Sequence, residues 1–156
     1  ADEGAAAATA DWSRITSAAA GALGALAVVV LLIAASEELM FRGFLLQVAR
    51  DRWSEGVAVL VVTVLFSLAH YVVGGFGSPL QAVATLMSGF LYYVVRRATG
   101  LLLGAIVVHA VWDFAIFSHD LGVGESGGDA FTPLVVTFVL ALLALVTQRW
   151  LVPKPA

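Results

Sequence analysis

The sequence predicts an all-α, polytopic transmembrane helix bundle of about five spans, and three observations predict it. First, 61% of the 156 residues are hydrophobic and only 12% are charged, with a mean hydropathy of +0.98. A water-soluble domain is closer to half apolar and a quarter charged, and one of this size leaves too much surface exposed to hide so apolar a chain. Second, the apolar residues form runs of about membrane thickness with almost no charge, broken by glycine, proline and arginine. Third, the few ionisable residues within those runs fall at helical spacings.

Residues 1–14 are small and polar, with Asp2, Glu3, Asp11 and Arg14, and are expected to be a solvated, disordered lead-in. Residues 15–152 are expected to form one transmembrane domain. Its first uncharged run extends from Ile15 to Ala35. Ile33-Ala34-Ala35-Ser36 bears a faint likeness to a signal-peptidase site. The run is too long for a signal h-region, and cleavage there would remove the helix that supports Glu37, so that reading is rejected. Further runs cover Gly56 to Val73, Pro79 to Val95, Gly100 to Ile116 and Pro133 to Gln148. Gly74 to Pro79 reads as a turn whose glycines lack the setting of a nucleotide loop, and Ser118 to Thr132 as the one long loop. The stretch from Arg14 to Arg50 is too long for one simple crossing. It must tilt, bend, or contain a separate helix after Ser36.

The basic residues orient the spans. With alternating crossings, Arg50, Arg52, Arg96, Arg97, Arg149 and Lys154 share one side, and Arg14 stands alone on the other with the acidic loop. The positive-inside rule then makes the Arg96-Arg97 side cytoplasmic, in an integral protein expected in the cell membrane. The chain has no cysteine, which excludes disulfide frameworks and thiolate metal sites, and its net charge of −3 argues against nucleic acid as a partner. The expected partners are the lipid bilayer and a membrane-associated protein or peptide.

Glu37, Glu38, Arg42, His70, His109 and Asp113 carry the chemical information, because a charge near the centre of a membrane helix costs at least ~2.5–3.5 kcal/mol. Counted from the cytoplasmic ends near Arg50, Gly56 and Arg97, Glu37 lies 13 residues in, His70 14 and His109 12. That is a common depth of roughly 18–21 Å at helical rise. Glu38 and Arg42 are spaced i, i+4 in the favourable order for an ion pair, whereas Glu37 points about 100° away and is left to face a cavity. His109 and Asp113 are also i, i+4. Each has a structural reading: a Glu38–Arg42 staple, an Asp113 bridge to Arg42 or His109, a histidine bonded to a backbone carbonyl. Convergence at one depth favours a site. Tyr71, Tyr92, Tyr93, Trp53, Trp112 and Trp150 are expected to be packing residues and interfacial anchors.

A carboxylate and two imidazoles can activate water in two ways. Glu37 can serve as general base, or Glu37, His70 and His109 can hold a divalent metal such as zinc whose water attacks. Either suits amide hydrolysis, with His109 and a protonated Asp113 donating to the oxyanion, or His109 alone. Other intramembrane protease signatures are missing: there is no His-Glu-x-x-His, and neither Ser88-Gly89 nor Gly128-Asp129 has the residues that would complete a serine or aspartyl motif.

Glu37-Glu38-Leu39-Met40-Phe41-Arg42 fits EExxxR, Phe66-Ser67-Leu68-Ala69-His70 fits FxxxH, and His109-Ala110-Val111-Trp112-Asp113 fits HxxxN/D. Three such motifs, in order on successive apolar segments, resemble the CPBP family of CAAX-prenyl endopeptidases and bacteriocin-processing proteins, also called Abi proteins. The resemblance covers Ser36 to Phe117. It implies an all-α membrane core in which the first glutamate and the FxxxH histidine activate water and the last motif stabilises the oxyanion. Catalytic residues would then be Glu37, Glu38, His70, His109 and Asp113, with Glu38 and Arg42 as an orienting ion pair. Asp113 stands where asparagine is frequent. Members are commonly called metalloproteases, but a metal-free mechanism is expected here. A catalytic metal's histidines usually donate their second nitrogen to an acceptor, and Asp113 could serve only His109. Two rival functions are a catalytically idle scaffold or bacteriocin self-immunity protein, and a proton-coupled transporter subunit. The complete motif set speaks against the first, and the lack of paired inverted segments against the second.

Overall fold

A backbone crossing apolar surroundings must satisfy its own N–H and C=O groups, and a helix does so within one segment. The computed structural model describes residues 17–73 and 79–120, with isolated helical positions at 136, 139, 140, 143 and 147. Among the described residues every regular element is helical: α1 (Ser17–Glu38), a π-helical segment (Leu39–Leu45), α2 (Leu46–Arg50), α3 (Glu55–Val73), α4 (Pro79–Thr99) and α5 (Leu102–Asp120). The lead-in at 1–14, the turn at 74–78, nearly all of the long loop and most of the run after Pro133 lie outside the described residues.

Ala20–Arg50 and Glu55–Val73 are long and apolar enough to cross a membrane, and Leu102–Ser118 is a shorter apolar helix. α4 is more mixed, carrying Gln81, Thr85 and Ser88 and ending in Arg96 and Arg97. Pro79 opens α4, a position where its missing N–H has no intrahelical partner to lose. Gly100 closes it at φ 70°, its N–H bonding Arg96 O at 2.9 Å. That left-handed residue ends the helix and allows α5 to begin two residues later. α5 runs on to Asp120, so Ser118 belongs to a helix rather than to the start of the loop.

The stretch after Ser36 continues without a gap in the helix: the run from Ser17 to Arg50 is helical throughout, α1 passing into α2 through a wider π turn over Leu39–Leu45. Such a turn fits extra residues into the spiral and re-aims the side chains beyond it. Glu38 and Arg42 stay buried, and Leu46 and Ala49 after them also face the interior.

Leu46 and Ala49 pack with Ala58, Val59, Val62, Tyr93 and Val94 from α3 and α4. A second buried group joins Phe66, Tyr92 and Ala105, with Phe41 against it. Ala34, Ala58 and Ala105 are fully buried. Small residues at contacts let helices approach closely where lipid supplies no hydrophobic drive between them. A polar clasp closes one end: Arg50 forks onto Glu55 with two 2.6 Å bonds, and the Tyr93 hydroxyl donates to the same carboxylate at 2.7 Å. The outer faces are apolar, for example Leu60, Val64 and Leu68 on α3 and Leu103, Val107 and Val111 on α5, each set one turn apart.

Gly89 marks a close crossing of α4 with α3 and the π-helical segment. A Cβ there would lie 3.0 Å from Arg42 Nη2, 3.1 Å from Phe66 Cδ1 and 3.2 Å from Thr63 Cγ2. Gly89→Ala is expected to destabilise the fold by about 1–3 kcal/mol, the usual cost of overpacking. Gly24, with nothing within 4 Å of its Cβ position, is the control. Equal melting temperatures for Gly89→Ala and Gly24→Ala in the same detergent would contradict this packing.

Candidate active site

Glu37 and Glu38 end α1 and, as neighbours on a helix, point in different directions. Glu38 is fully buried, and its Oε1 accepts from Arg42 Nη1 at 2.8 Å. The guanidinium reaches across to donate from Nη2 to Gly89 O at 2.9 Å, and its Cζ lies 4.1 Å from the centroid of the Phe66 ring. This staple ties the end of α1 to α4 through a cation held against an aromatic face.

The same Glu38 Oε1 also meets His109 Nδ1 at 3.0 Å. Glu38 is therefore more than Arg42's partner: it joins α1, α4 and α5. An ionised carboxylate only accepts, so His109 carries a proton on Nδ1, and in the neutral ring Nε2 bears the lone pair. His70 is fixed by the same logic. Its Nδ1 lies 2.9 Å from Phe66 O, one turn back on α3, and a carbonyl only accepts. Its Nε2 is likewise the lone-pair nitrogen.

Both Nε2 atoms face Glu37. Glu37 Oε2 is 3.5 Å from His70 Nε2 and 3.7 Å from His109 Nε2, and it is buried with no hydrogen-bond partner among the described residues. Asp113 Oδ2 lies 3.5 Å from His109 Nε2, so Asp113 neighbours His109 rather than Arg42. The three motif segments thus meet at one point. Glu37, His70, His109 and Asp113 line a cavity of about 570 Å³, while Glu38 and Arg42 stand behind it. Ile33, Leu80, Ile116 and Phe117 give the cavity apolar walls.

The histidines have anchors beyond the motif side chains, and for His70 it is the backbone-carbonyl bond that sequence analysis offered as the structural reading of a membrane histidine. Phe66 O is a backbone atom, so the orienting acceptor for His70 is invisible to a search of side chains. The absence of such an acceptor is thereby removed as an argument against a metal. The donor types suit a divalent cation, but among the described residues no group of three or more His, Asp or Glu side chains is disposed to hold one. Tyr92 and Trp112, read from sequence as packing or anchoring residues, line the cavity. A signal for Tyr92 exists in the sequence: Gln81, Thr85, Ser88 and Tyr92 recur at 3–4 residue intervals, a polar strip on one face of α4. Ser67 and Thr85 brace that strip against α3, with Ser67 Oγ donating to Ala82 O at 2.6 Å and Thr85 Oγ1 to Ser67 Oγ at 3.3 Å.

Neither a curated protein nor a solved structure matches the chain. Residues 19–115, well over half of it, match the family model described as type II CAAX prenyl endopeptidase Rce1-like. That span contains all three motifs and the whole polar cluster, and its apolar helices mark a membrane protein. The chain belongs to the Rce1-like family of type II CAAX prenyl endopeptidases.

Proposed function

We propose that this chain is an intramembrane endopeptidase that hydrolyses peptide bonds of membrane-associated or CAAX-like substrates with water activated by Glu37 and His70. One observation supports this reading above the others: Glu37 Oε2, buried and unpartnered, faces two imidazole nitrogens whose protons are held elsewhere. Two of these acceptors, Glu37 Oε2 and His70 Nε2, suit a molecule with two hydrogens to give. A water donating to Glu37 and to His70 Nε2 has its oxygen lone pairs free for the carbonyl carbon. As the C–O bond forms, Glu37 takes the proton and the carbonyl π pair moves onto oxygen. When the C–N bond breaks, Glu37 returns that proton to the departing amine. His109 and Asp113, sharing a proton, stand on the oxyanion side. Glu38 and Arg42 hold His109 in its tautomer and position.

The reading extends to the rest of the chain. Residues 15–152 form one domain of about five spans, with the Arg96-Arg97 side in the cytoplasm of a cell-membrane protein. The substrate is a membrane-associated protein or peptide, and nucleic acid is not a partner.

No metal is needed for this chemistry; were one used, Glu37, His70 and His109 would be its ligands. Purified protein treated exhaustively with chelator is expected to retain full cleavage of a peptide library in detergent. Loss of cleavage, restored by stoichiometric zinc, would make those three residues a metal site. A wild-type chain that cleaves nothing in lipid or detergent would favour the idle scaffold or immunity protein instead.

A further inference from the structure

Amide hydrolysis needs a donor where the carbonyl oxygen becomes an anion, and the geometry leaves the expected donors short of protons. His109 spends its Nδ1 proton on Glu38, so the neutral ring offers only a lone pair from Nε2. Asp113 donates only if protonated. The two face each other at 3.5 Å, and one shared proton would be held between them.

Tyr92 has the missing hydrogen. It is 1% exposed and lines the cavity with Glu37, Ser88, His109 and Asp113, and its buried hydroxyl has at most the Ser88 hydroxyl one turn back as a neighbour, with no well-formed hydrogen bond among the described residues. Buried phenols normally find partners, and an orphaned one is costly, so an orphan in a cavity wall points to a ligand. The ring is firmly placed. It stacks on His109 at 4.5 Å between centroids and 19° between planes, and meets Phe66 edge-on at 6.4 Å. A phenol keeps its proton at neutral pH and donates without any change of protonation.

We propose that Tyr92 is a catalytic residue of the peptidase site, its hydroxyl donating a hydrogen bond to the scissile carbonyl oxygen that strengthens as this oxygen becomes the tetrahedral anion. The inference rests on the peptidase reading above. The bland alternative makes Tyr92 a platform for the His109 ring, a task that phenylalanine performs equally well.

Tyr92→Phe therefore separates the two. The full chain in detergent is assayed on a peptide that the wild type cleaves, beside Glu37→Gln. Tyr92→Phe is expected to lower kcat roughly 100-fold, as loss of one oxyanion donor does, with KM and melting temperature nearly unchanged. It should weaken binding of a phosphinic analogue of that peptide, whose tetrahedral P–O⁻ mimics the anion, by the same factor. A kcat close to wild type, or a fall in kcat with unchanged affinity for the phosphinate, overturns the proposal. Should Tyr92→Phe fail to fold, 3,5-difluorotyrosine at position 92 keeps the shape and strengthens the donor. It must tighten the phosphinate, and unchanged affinity overturns the proposal. Cleavage lost in Glu37→Gln but kept in Tyr92→Phe refutes the Tyr92 role alone. A wild type that cleaves nothing removes the peptidase reading, and this inference with it.

Discussion

Glu37→Gln is expected to cut turnover by roughly 10³–10⁴-fold, the upper range for losing a general base, while leaving the fold almost untouched. The amide has the volume of the carboxylate but cannot accept the water's proton. Glu37 is partly exposed to the cavity and its Oε2 has no hydrogen-bond partner among the described residues, so little native bonding is lost. The stability change should stay within about 0.5 kcal/mol, as for a substitution away from packed features. Peptide cleavage and thermal unfolding of the same preparation measure both. A variant retaining more than a tenth of wild-type turnover would remove Glu37 from the chemistry.

Glu38→Gln should behave in the opposite way, with stability as its main loss. Glu38 and Arg42 are both essentially buried, and Oε1 accepts from Arg42 and from His109 at once. Removing the carboxylate charge leaves a guanidinium in low dielectric without its counter-ion, a change that costs about 3–5 kcal/mol when a buried pair is broken. Gly89 O and the Phe66 ring still face Arg42, which places the expected loss toward the lower end. Activity should fall too, because His109 loses the acceptor that fixes its tautomer. Arg42→Met in the Glu38→Gln background should recover part of the stability, since it removes the orphaned charge. Equal melting temperatures for Glu37→Gln and Glu38→Gln would refute this division of labour between neighbouring glutamates.

The division was legible in the sequence because helix geometry alone sends adjacent residues about 100° apart and brings i, i+4 residues together. The same arithmetic put Glu37, His70 and His109 at one depth, and the structure gathers them with Asp113 around one cavity. Asymmetric pairing was less legible. Nothing in the spacing says that Glu38 serves His109 across 71 positions.

Composition and periodicity determined the all-α class, the apolar helices and the six polar residues, because lipid tolerates few backbone solutions and makes every buried charge conspicuous. Tertiary structure decided what those residues touch. Gly89 O and the Tyr92 hydroxyl became neighbours of the cluster only when the helices packed together, and the first of these is a backbone atom that every residue possesses. The helix after Ser36 was decided there as well. A π turn rather than a break follows Glu38, and the packing of Phe41, Leu46 and Ala49 against α3 and α4 depends on where that turn aims them. Sequence period reports which face a residue occupies on an ideal helix, and contacts distant along the chain decide where that ideal gives way.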